Sequence, residues 1–219
     1  MKYSTRYFLM AFFLFFTFVS FGQKNKIIQG YYITPLSDTV QCVFKKWNWK
    51  KQPLIFSVSV NNNNSVLIPE NVSETNIESL QTKYVVRKIA PANYNDNLLF
   101  IEDGAIPARD TMRQAFLKCL YTGNLNLYLY IDKLKRNHFF VEDKDNFLEI
   151  YIHNHKESIS LQGVSSKSKQ YEFILKTLMM PCRSLFSIIE NIGLNEEQLV
   201  QLFTLYDKCM EIKKTEEKQ

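Results

Sequence analysis

The apolar residues of this chain change their spacing once, and that change divides it into a part that builds a sheet and a part that builds helices. In LNLYLYID, Leu125, Leu127, Leu129 and Ile131 alternate with Asn126, Tyr128, Tyr130 and Asp132. A period of two sends the first set to one side of a strand and the second set to the other. After about residue 166 the period lengthens to three or four. Tyr171, Ile174, Leu175 and Leu178 stand at i, i+3, i+4 and i+7, and Leu185, Ile188, Ile189 and Ile192 repeat the spacing. That is the apolar stripe of a helix. The chain therefore reads as α+β: a mostly antiparallel β meander or sandwich-like domain over 23–165, a helical segment with a helix hairpin over 166–212, and a charged tail over 213–219.

Turn chemistry separates the strands. IIQGYYIT and DTVQCVFKKW flank PLSD, and PLIFSVSV and SVLI flank NNNN, where Asn tolerates the left-handed backbone of a tight turn. YVVRKI is a further strand, QAFLKCLY joins LNLYLYID through TGN, and HFFVE and FLEIYI continue the meander. The stretch from Ala90 to Arg113 has no clear period and reads as a long irregular loop.

In the helical part, Pro181 ends the first helix, and Gly193 is placed to give the second a left-handed C-cap. LNEEQL then reads as an N-terminus, with Asn195 as cap, Gln198 as its partner, and Leu194 able to staple onto Leu199. Leu199, Leu202, Phe203 and Tyr206 stripe the third helix, whose last turn ends in LFTLYDKC. An antiparallel hairpin of the second and third helices brings Cys182 beside Cys209. A disulfide there closes a loop of 28 residues, worth roughly 3.5 kcal/mol on chain entropy. Cys42 and Cys119 each fall inside a strand pattern, where a thiol serves as a small hydrophobe, and spacing leaves open whether they meet.

The disulfide needs an oxidising compartment, and the N-terminus points to one. Lys2 and Arg6 precede the apolar run Tyr7 to Val19, and Ser20 and Gly22 are small residues of the kind a signal peptidase reads. Cleavage after Gly22 is expected, giving a signal peptide over 1–22 and a mature chain starting at Gln23. The run is shorter than the roughly 20 residues of a membrane-spanning helix, so no stable transmembrane segment is expected after cleavage. The destination is the periplasm, the outer-membrane surface or the medium. Of 27 Lys+Arg against 22 Asp+Glu, two positive charges leave with the signal. The small surplus that remains is spread along the chain, which is no nucleic-acid footprint. A mature chain of this length buries about 70 per cent of its unfolded surface, so stability requires no cofactor.

GYYITPLSDTVQC, LIP before a polar strand, FLKCLYTGNLNLYLY with HFFVE, YEFILKTLMMPC and LVQLFTLYDKC together resemble a group of exported Bacteroidetes cell-envelope proteins of unassigned function. In longer members the module precedes an outer-membrane β-barrel, whereas this sequence stops after the helical hairpin. The resemblance implies a cell-envelope location. Its motifs are structural, and it transfers no catalytic residue.

Several constellations are candidate sites. His153 and His155 share one side of a strand and suit zinc, with Glu142, Glu149 or His138 as a third ligand; two surface histidines are the plainer reading. KKWNWKK sets Trp47 and Trp49 on one side among lysines, either as core or as a platform for a sugar ring or anionic headgroup. Tyr128 and Tyr130 form either a contact surface for a partner or an ordinary cross-strand ladder. Glu142, Asp143, Asp145 and Glu149 contain the carboxylates a glycoside hydrolase needs, but EDKD reads as a solvated turn. Thr39 and Thr111 lie in DTV and DTM, short patterns matching O-glycosylation acceptors of exported Bacteroidetes proteins. With no GxSxG, phosphate loop or HExxH, the expectation is a non-enzymatic binding or structural module of the envelope, with a protein or glycan partner. Envelope glycan binding is the first alternative and a metal-dependent hydrolase the second.

Overall fold

The computed structural model describes residues 28–45, 48, 51–92, 111–144, 146–151, 153–154, 167–168 and 170–216. The strands are β1 (Ile28–Ile33), β2 (Thr39–Phe44), β3 (Phe56–Val60), β4 (Asn63–Leu67), β5 (Glu74–Ile77), β6 (Thr82–Ile89), β7 (Arg113–Tyr121), β8 (Asn126–Ile131), β9 (Asn137–Glu142) and β10 (Phe147–Ile150). They form one antiparallel sheet in the order β10-β9-β8-β7-β6-β5-β1-β2-β3-β4. Short strands β11 (His153–Asn154) and β12 (Lys167–Ser168) pair separately. Two meanders, β1–β4 and β5–β10, are thus joined where β5 pairs with β1 through Tyr31↔Asn76, Tyr32↔Thr75 and Ile33↔Glu74. The helical segment follows, so the fold is α+β.

Local chemistry explains the turns. Asn61 and Asn62 sit at φ 49° and 65°, which makes a two-residue hairpin between β3 and β4 and leaves Asn63 and Asn64 inside β4. Paired left-handed residues match the twist of the flanking strands. Strand β5 is short and carries Glu74, Thr75 and Asn76, so its period is weak in the sequence.

The sandwich-like expectation is met by one sheet folding over itself. Phe56 on β3 lies 5.2 Å from the ring of Tyr84 on β6 and 4.8 Å from that of Phe116 on β7, although β2, β1 and β5 separate β3 from β6 in pairing order. Gly30 lets β5 and the Phe44 ring come close to β1: a Cβ there would lie 2.1 Å from the Asn76 carbonyl oxygen, 2.9 Å from Phe44 Cε2 and 3.0 Å from Ile77 Cα. Cys42, Phe44, Val58, Leu67, Val72 and Ile77 complete this first core.

The helices cover β7–β10. They are α1 (Gln170–Leu178), a 3-10 turn (Met180–Leu185), α2 (Phe186–Asn191) and α3 (Glu196–Glu216). Leu127, Leu129, Phe139, Val141 and Ile150 from the sheet meet Tyr171, Leu175, Met179, Ile189, Leu199 and Phe203 from the helices. Both ends of the α2–α3 corner are capped. Asn195 Oδ1 accepts from the Gln198 N–H at 2.9 Å, while Gln198 Oε1 accepts from the Asn195 side-chain amide and the Gly193 N–H, each at 2.7 Å. Gly193 does not adopt the left-handed backbone expected of it. The end of α2 is satisfied otherwise: the Tyr171 hydroxyl donates to the Ile192 carbonyl at 2.6 Å, and Gln198 takes the glycine amide.

Cys182 and Cys209 form a disulfide with Cα atoms 6.2 Å apart. Cys182 lies in the 3-10 turn before α2, at φ −116° and ψ 61°, rather than in a first helical turn. Nor is Cys209 at the end of its helix. α3 runs on to Glu216, taking in most of the segment expected as a tail, because EIKKTE holds no breaker and Lys213 and Lys214 suit the negative end of the helix dipole.

Candidate functional site on the second face of the sheet

The strands that carry the helices on one side bury the other side as well. Leu127, Leu129, Phe139 and Val141 belong to the helix-covered core, whereas Tyr128, Tyr130 and Phe140 join Val85, Ile89 and Leu117 in a separate cluster on the opposite face. Tyr128 and Tyr130 are each only 3% exposed. They therefore serve as cross-strand aromatic elements, opposite Phe140 and His138, and are too buried to form the open contact surface expected for a partner.

Two polar groups stand on this face. In the first, Arg87 on β6 reaches across to Glu142 at the end of β9, donating from Nε at 2.7 Å and Nη2 at 3.1 Å, and its guanidinium lies 5.8 Å from the Tyr128 ring centre. The Tyr128 hydroxyl donates to the same carboxylate. The fork-shaped pairing satisfies both carboxylate oxygens. Burial pushes the Glu142 carboxyl up, but the bonds from Arg87 and Tyr128 outweigh it and hold the group below its ordinary range. Tyr128 moves the other way: burial, then the Glu142 charge, keep its phenol protonated far above the usual range.

The second group lies at the other end of the strands. His138 is fully buried between two carboxylates, with Nδ1 2.8 Å from Glu149 Oε1 and Nε2 3.2 Å from Asp132 Oδ2. Asp132 also accepts from Arg136 Nε at 2.6 Å and from the N–H groups of Leu134 and Arg136 at 2.8 Å. Burial pushes the Asp132 carboxyl up, yet the bonds from Arg136 and His138 prevail and hold it low. The Ala92 N–H donates to Glu149 at 3.0 and 3.3 Å. Arg113 donates to the Tyr130 hydroxyl at 2.8 Å, and the Tyr130 ring lies 6.0 Å from that of His138.

Of the carboxylates named as metal or hydrolase candidates, Glu142 and Glu149 have partners of their own. Glu142 is bound by Arg87, Glu149 is bound by His138, and the two belong to different clusters. Among the described residues no group of three His, Cys, Asp or Glu side chains is placed to hold a metal ion. His153 falls on β11; His155, Trp47, Trp49, Asp145 and the signal segment lie outside the described residues. The solvated turn expected of EDKD is only partly seen: Glu142 ends β9 and is paired with Arg87, while Asp143 accepts from the Asn146 N–H at 2.7 Å. Thr39 and Thr111 are both exposed. Cys42 and Cys119 are free thiols in different cores, and burial pushes Cys42 up to about 11.

Sequence reasoning named His138, Glu142 and Glu149 as spare metal ligands but passed over Arg87, Arg113, Asp132 and Arg136. A signal was present. Arg87 shares its strand phase with Val85 and Ile89, and Arg113 shares its phase with Ala115 and Leu117, so each places a charge in an apolar register. A charge in that register requires a partner. Comparison with protein-family models, curated proteins and solved structures finds no match.

Proposed function

We propose that the protein is an exported binding or structural module of the cell envelope. One observation carries this reading: the chain places Cys182 and Cys209 at disulfide distance, tying the turn before α2 to the body of α3. Such a bond persists where thiols are oxidised and is rare where glutathione keeps them reduced. The helical layer it fastens backs strands β7–β10, which suits holding a partner in place. Among the described residues, no helix is long and apolar enough to cross a membrane.

The test is made in a native envelope. Fractionation followed by mass analysis of the N-terminus should find a chain beginning at Gln23, outside the cytoplasm, with Cys182 and Cys209 linked. Crosslinking and mass spectrometry would then name the partner, protein or glycan. Recovery of an intact Met1 with reduced cysteines in the cytoplasm would overturn the proposal.

A further inference from the structure

We infer that His138 carries a proton on both ring nitrogens in the folded protein, as an imidazolium clamped between Asp132 and Glu149. The supply of donors decides the protonation. A neutral imidazole has one N–H and one lone pair, and an ionised carboxylate only accepts. Here both ring nitrogens face carboxylate oxygens, at 2.8 and 3.2 Å. A neutral ring would set a lone pair against an anion in a site from which water is excluded. One proton more than the neutral ring supplies is therefore present, on the imidazole or on a carboxyl.

The neighbours place it on the imidazole. Asp132 already accepts from Arg136 Nε and two backbone N–H groups, an environment that holds a carboxylate ionised. Glu149 spreads both oxygens toward the Ala92 N–H, where a carboxylic acid would turn one oxygen into a donor facing a donor. Around the ring stand Asp132 and Arg136 from the β8–β9 turn, Glu149 from β10, and Tyr130 from β8, whose hydroxyl accepts from Arg113 on β7. The proton thus acts as a clasp, joining the β8–β9 turn, β9, β10 and the chain at Ala92.

Nuclear magnetic resonance tests this without disturbing the clamp. The chain has three histidines, so a His153→Gln, His155→Gln double variant leaves His138 as the sole source of imidazole signals. A long-range proton–nitrogen correlation at pH 7 should show both ring nitrogens at the protonated position, with N–H protons that exchange slowly. One nitrogen at the lone-pair position would overturn the inference. Glu149→Gln in the same background removes one of the two anions and should move one ring nitrogen to the lone-pair position. An unchanged spectrum there would show that the carboxylate pair does not hold the proton.

Discussion

The β1–β4 meander closes its core with aromatic rings: Phe44, Phe56, Tyr84 and Phe116 meet edge to face, and Gly30 leaves room for the Phe44 ring. The β7–β10 end is held differently. It has helices on one face, paired charges on the other, and a disulfide within the helical layer, its Cys182 buried in the helix-covered core. Apolar contact is non-directional and tolerates local repacking, whereas the Arg87–Glu142 fork and the His138 clamp each demand one geometry. The first region gains stability from area, and the second gains a fixed shape as well.

That contrast is broken most severely where the regions meet. Phe116 is fully buried on β7 and touches Phe56 across the fold-over. Phe116→Ala should lower stability by about 3–5 kcal/mol, measured by urea unfolding, and should loosen both regions together. Loss confined to β1–β4 would mean that they unfold independently.

The disulfide comes next. Cys209→Ser should lower stability by about 3.5 kcal/mol, with hydrogen exchange rising in α1–α3 while β1–β4 stays protected. Uniform loss of protection would show that the helices and the fold-over are a single cooperative unit.

A smaller pair of changes sharpens the comparison, since each adds one methyl group. Gly30→Ala sets its Cβ 2.1 Å from a backbone oxygen that cannot move away, whereas Gly123→Ala meets Asp207 Oδ2, the end of a side chain on α3. Costs of about 1–3 kcal/mol are usual for such overpacking. Gly30→Ala should lie at the upper end and Gly123→Ala at the lower. In the second variant Asp207 should release the Asn124 amides that it now accepts at 3.0 and 2.8 Å. Equal costs would show that the helix-bearing region is no more adaptable there.

Acid should produce the smallest effect, and in one region only. Asp132, Glu142 and Asp207 are all held below their ordinary values, in each case by hydrogen bonds that outweigh burial. Stability from a lowered carboxyl is complete above the unfolded value, near pH 4, and is lost as pH falls through the folded one. Thermal unfolding should therefore weaken below about pH 4, with the helix-bearing region leading. Earlier loss in β1–β4 would contradict the assignment.

Period and turn chemistry made most of the fold readable. The alternation of LNLYLYID placed Leu127 and Leu129 under the helices, and Asn195 with Gln198 marked the start of α3. The disulfide was legible from helical phase and a capped corner. Less legible was β5, since Glu74, Thr75 and Asn76 give a strand almost no apolar period, and the fold-over rests on tertiary packing of Phe56 against Tyr84 and Phe116. The polar clusters were hidden for another reason. His138, Asp132 and Glu149 converge through the register of three elements, and a linear sequence shows spacing within an element but not alignment between elements.

The pairing of β5 with β1 also sets an order of assembly. Every other neighbouring pair in the large sheet consists of strands consecutive in the chain, so each can form as soon as its hairpin is complete. Strand β1 must instead wait for a partner 45 residues later at Tyr31 and Asn76, with β2–β4 lying between. Closing that longer loop costs entropy before any contact repays it, which makes it the natural rate-limiting step. A chain emerging N-terminus first would hold β1–β4 as an unanchored ribbon until β5 appeared. The hairpins would be quick, and their joining slow.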